Sequence, residues 1–148
     1  MGLSIERWYP WVLAIAGGWI WHHFSIPFPP DEKEFLSAAI SLGAILTGFV
    51  ATAQAILAAL PSDSAMGRIR SSGYIRELVV YLAEALYGCL LFSVLCLLGF
   101  FVLGPSSPLH QLYTTAFCGL AIFAIMSFQR VASMLFKILH YQPPSHDE

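Results

Sequence analysis

Glu84 is the only carboxylate well inside a long apolar stretch of this chain, about a turn and a half beyond Leu78. An ionisable side chain at that depth is costly unless a partner or water compensates it, so by default it marks a functional position. Tyr81 stands nearby on the helix surface and offers it a hydroxyl donor. Three roles fit Glu84: an interfacial side chain that snorkels or pairs with Arg76 or a neighbouring subunit's arginine, a hydrated gate, or a proton-coupled transport site. A single acid without a second carboxylate or histidine at helical spacing is weak support for catalysis.

His22, His23 and His110 are expected near the outer face of a membrane, where three imidazoles can in principle gather a metal or respond to acid. No carboxylate or cysteine accompanies them at a ligand spacing, so they read as interfacial histidines. Cys89, Cys96 and Cys118 fall in apolar stretches without a CxxC pattern and read as small buried hydrophobes. Arg68, Arg70 and Arg76 flank a flexible Gly73. They orient the chain and attract anionic lipid headgroups, or they dock a cytosolic activator. Three arginines are too few for nucleic-acid binding, and no phosphate-binding loop occurs. No cofactor or metal is expected. With no paired nucleophile and base, an enzyme is the poorest fit.

The elements that must position these groups are membrane helices. Of 148 residues, 57% are hydrophobic and 11% charged, with a mean hydropathy of +0.70, which describes an integral membrane protein. Four stretches are long and apolar enough to cross: about 9–26, 35–60, 78–103 and 109–128, the last running on as a cytoplasmic extension to about 140. The fold expected is all-α, one membrane domain of four transmembrane helices. The bulky Trp8, Trp11, Trp19 and Trp21 make the first span a retained anchor rather than a signal peptide. Pro27, Pro29 and Pro30 stop it, Pro61 closes the second, Gly104 and Pro105 end the third, and Pro108 opens the fourth. Pro143 and Pro144 end the extension. Arg7, Arg68, Arg70, Arg76, Arg130 and Lys137 stand against Lys33 alone, which places both termini and the middle loop in the cytoplasm.

The second span runs 26 residues without a formal charge, and its two sides differ. At ~100° per residue, Leu42, Ile45, Leu46, Phe49, Val50, Ile56 and Leu57 fall on one half. Ser37, Ser41, Gly43, Ala44, Thr47, Gly48, Ala51, Thr52 and Ala55 fall on the other. Lipid contact alone gives no reason to sort bulk from smallness. The small face must therefore meet another helix closely or border a pore. As a pore lining it would present Ser37, Ser41, Ala44, Gly48, Thr52 and Ala55, with Glu84 and Tyr81 as a gate.

Residues 35–103, through AAISLGAILTGFVATAQAIL and RIRSSGYIRELVVYLAEAL, together with the four spans and similar total length, resemble the RexB type of small membrane protein, a phage-exclusion ion channel of lambdoid prophages. The likeness covers about half the chain. The Trp-rich first span and the tail after Arg130 have no counterpart. The resemblance implies an inner-membrane effector that a cytosolic sensor opens during infection, depolarising the cell and stopping phage growth. Four helices are too few to enclose a wide aqueous path, so a pore requires an oligomer of identical chains. Two alternatives stay open: a non-conducting scaffold or sensor partner for a cytosolic protein, and a small proton-coupled transporter using Glu84.

Overall fold

The computed structural model describes residues 3–59, 74–102 and 109–140. They form four helices, α1 (Leu3–Phe24), α2 (Glu32–Ala59), α3 (Tyr74–Val102) and α4 (His110–His140), and no strand occurs among the described residues. Three helices are long and apolar enough to cross a membrane, over Glu32–Ala59, Leu78–Val102 and His110–Phe136. α1 starts six residues earlier than expected. α4 runs unbroken through Arg130 to His140, so the fourth span and its expected extension form one helix. Arg68, Arg70, Pro61, Gly104, Pro105, Pro108, Pro143 and Pro144 lie outside the described residues. Arg76 falls within α3.

Local chemistry sets the ends that face the short link between α1 and α2. Ser25 adopts a left-handed backbone (φ 45°) just after α1, a common helix stop, and Pro27 follows. Asp31 precedes α2, and its carbonyl accepts the Phe35 amide at 3.0 Å. Glu32 and Glu34 in the first turn complement the positive end of the helix dipole.

The helices form an open layer rather than a closed bundle. α3 packs against α2 on one side and α4 on the other, and α4 also carries α1, while α2 and α4 barely meet. The spatial order is therefore α2, α3, α4, α1, with the two sequence neighbours α1 and α2 at opposite edges. Their link crosses α4, where Phe28 packs edge-on to Phe35 at 5.3 Å and to Phe117 at 5.5 Å.

In a bilayer the tails are as apolar as leucine, so close packing and hydrogen bonds hold helices together. Glycines mark the close approaches. Gly43 of α2 faces Phe92 and Ser93, Gly88 of α3 faces Phe123, and Gly99 faces Tyr113. α1 lies on α4 through Gly17, Gly18 and Gly119: a Cβ on Gly119 would stand 3.3 Å from the Ala14 carbonyl oxygen. Tyr9 Oη donates to the Met126 carbonyl at 2.9 Å, and Trp11 tilts against Phe123 at 4.6 Å. Two apolar clusters fill the layer. One gathers Leu36, Phe92, Cys96, Tyr113 and Phe117 near the His110 end, and the other gathers Val50, Leu78, Leu82, Val131 and Met134 near the Arg130 end.

Candidate functional site

The polar centre of the molecule joins α3 to α4. Because the helices run antiparallel, Glu84, ~27 Å along α3 from Val102, and Arg130, ~30 Å along α4 from His110, reach one level. Arg130 Nη2 donates to Glu84 Oε2 at 2.6 Å. The Arg130 side chain is 3% exposed and that of Glu84 26%. The guanidinium also lies over the Tyr81 ring, 4.0 Å from its centroid, where the negative face of the ring receives it. Tyr81 thus contributes its ring to Arg130. Ser127, one turn before Arg130, is fully buried, and its Oγ has no hydrogen-bond partner among the described residues.

The partner of Glu84 among the described residues is therefore Arg130 of its own chain, a pairing not expected from the sequence. Arg130 was expected beyond the last span, opening an interfacial or partner-contacting extension on the cytoplasmic side. Instead it is buried in the middle of a packed helix, and the segment after it is no free extension, since Val131 and Met134 join the cluster of Val50, Leu78 and Leu82. The missed signal was periodicity: Tyr113, Phe117, Ala124, Ser127, Val131 and Met134 keep helical spacing straight past residue 128, and Arg130 rides beside that stripe. Chemically, the pair is a neutral clasp. It fixes the register of α3 on α4, and a proton-carrying role would first require Glu84 to shed the guanidinium.

The second feature is the free side of α2. Ser37, Ser41, Ala44, Gly48, Thr52 and Ala55 are all exposed, and a Cβ on Gly48 would meet nothing within 4 Å. Ser41 Oγ donates to the Ser37 carbonyl at 3.0 Å and Thr52 Oγ1 to the Gly48 carbonyl at 2.8 Å. The division into a small and a bulky half needs one correction. Gly43 is buried on α3 and Thr47 half-buried, because α3 takes the stripe Leu36, Ala39, Gly43 and Val50, which mixes both halves. Leu46 and Leu57 pack beside that stripe, whereas Leu42, Ile45, Phe49 and Ile56 stay exposed. The exposed side of α3 is uniformly bulky, with Val79, Val80, Leu90, Leu91, Val94 and Leu97.

The histidines do not converge. His22 Nδ1 lies 3.4 Å from Thr115 Oγ1, His23 stacks on Trp19 at 5.3 Å, and His110 Nε2 stands 3.6 Å from Glu32 Oε1. No group of three or more metal-binding side chains gathers among the described residues. Cys89, Cys96 and Cys118 are free thiols, the first two buried and the third half-buried. No family model matches this chain, and no curated protein or solved structure matches it.

Proposed function

We propose that this chain is a bacterial or prophage inner-membrane protein that assembles through the small face of α2 and conducts ions along the axis of that assembly. One observation carries the reading: α2 lies at the edge of an open layer and leaves six small or hydroxyl-bearing residues exposed along its length. All four helices cross in this reading, with both termini in the cytoplasm. Arg130, neutralised inside the layer, drops out of the charge balance, yet Arg7, Arg68, Arg70, Arg76 and Lys137 still outweigh Lys33. An uncharged lumen of serine, threonine, alanine and glycine would give modest ion selectivity and gating by dewetting. Phage exclusion is the biological setting we propose, on the sequence resemblance alone, with a cytosolic sensor as the opening partner and no catalytic step.

Inducible expression with a membrane-potential dye, with and without phage, tests conduction. Depolarisation that Gly48→Leu abolishes supports the pore. A second reading is favoured by the hydroxyl geometry: Ser41 and Thr52 spend their donors on their own helix, as they would in a dry seam. In that case the assembly is a non-conducting scaffold, and no depolarisation appears although Gly48→Leu still disrupts the oligomer.

A further inference from the structure

The charged and polar limits of α1 are too close together for an ordinary span. Glu6 and Arg7 bound its apolar run on one side and His22 and His23 on the other, leaving residues 8–21 between them. As a helix that run is ~20 Å long, against ~30 Å for the hydrocarbon core. α2 at the opposite edge has an uncharged run of ~38 Å, from Phe35 to Ala59. On α4 the apolar span runs from His110 to Phe136, ~40 Å, with Arg130 neutralised inside it. Of these three runs that of α1 is the shortest.

The exposed side of α1 shows where that short run meets its surroundings. Trp8, Val12, Ile15 and Trp19 follow one another at helical spacing, and all are exposed, the two tryptophans at 64% and 65%. At 100° per residue Trp8 and Trp19 lie ~20° apart around the axis and ~17 Å apart along it. Indole rings favour the headgroup level at either side of a bilayer. The stacking of His23 on Trp19 sets a polar ring at one of these levels, and Glu6 and Arg7 adjoin Trp8 at the other. α1 cannot slide to hide the mismatch. It is fixed on α4 from the Tyr9 bond with Met126 to the His22 contact with Thr115, and any tilt shortens its reach further.

We infer that α1 crosses as a short span and that its Trp8–Val12–Ile15–Trp19 face gathers a locally thinned annulus of lipid, making the α1–α4 edge the lipid-facing, thin side of the molecule. The inference rests on the reading that α1 crosses, and is independent of whether the assembly conducts. All four tryptophans of the chain are in α1, so intrinsic fluorescence reports this helix alone.

The full chain would be reconstituted in short-, medium- and long-chain phosphatidylcholine carrying bromine near the headgroup or near the bilayer centre. Shallow bromine should quench more than deep bromine in short-chain lipid, and the ratio should fall as chains lengthen. The double variant Glu6→Leu with Arg7→Leu extends the apolar run back to Leu3, ~28 Å in all, and should lose that dependence. Deep quenching in short-chain lipid, or equal behaviour of the two proteins, overturns the short span. Single cysteines Glu6→Cys and Phe24→Cys, labelled from each side of oriented vesicles against the wild-type background, separate the underlying reading. Labelling from opposite sides is expected. Labelling from one side shows that α1 does not cross and overturns both.

Discussion

A guanidinium only 3% exposed inside an apolar helix pair is tolerated because its charge is met on two sides, by the Glu84 carboxylate and the face of Tyr81. Removing one partner leaves a buried charge uncompensated, whereas removing both removes the desolvation penalty as well. Glu84→Ala or Arg130→Ala should therefore each destabilise the purified protein by about 3 kcal/mol, while Glu84→Leu with Arg130→Leu should cost clearly less than the sum. Unfolding by a graded denaturing detergent checks this, and additive losses would show that the two groups do not act as a pair. Tyr81→Leu should cost about 1 kcal/mol through the lost ring contact. Glu84 was legible in the sequence because a carboxylate in an apolar run stands out on its own. Its partner was not, since an arginine at position 130 reads equally well as the first cytoplasmic residue. Only the buried stripe continuing to Met134 argues otherwise.

At the scale of the helices, glycines that look alike in the sequence divide by what lies opposite them. Gly43 abuts Phe92 and Ser93 of α3, so Gly43→Leu should lower folded yield and unfolding resistance of the single chain. Gly48 faces open space, so Gly48→Leu should leave the chain folded and weaken only its association with other copies, read by cross-linking or light scattering in detergent. A folding defect in Gly48→Leu would mean that α2 packs within the chain on that side. Gly119→Leu should lift α1 off α4 and change tryptophan emission through the lost Trp11–Phe123 contact, without releasing α2 from α3. Helix existence was readable from length and apolarity, and α1 ends at Phe24, three residues before Pro27. The use of each small residue was not readable. A two-way split of α2 by bulk cannot tell a glycine that admits Phe92 from one that faces outward, because both need only the absence of a side chain.

The whole molecule is a layer whose two edges are unlike. The α2 edge is long, small-sided and hydroxyl-bearing, and the α1 edge is short and aromatic. Like copies joined at the α2 edge would form a closed ring with α1 outward, and cyclic closure is the ordinary outcome for identical subunits. Neighbour order across the layer was invisible in the sequence, since short links suggest that α1 and α2 pack together. In fact the link passes over α4, and among the described residues the two do not pack together. The central claim is that the small face of α2 lines a conducting path. It is tested most directly by ion flux through vesicles holding the Gly48→Cys protein, before and after a water-borne thiol reagent, beside Leu46→Cys as the α3-facing control. Flux that the reagent blocks for Gly48→Cys and spares for Leu46→Cys is the predicted result. Absence of flux from the assembled wild-type protein, or flux that the reagent leaves unchanged in Gly48→Cys, would contradict it.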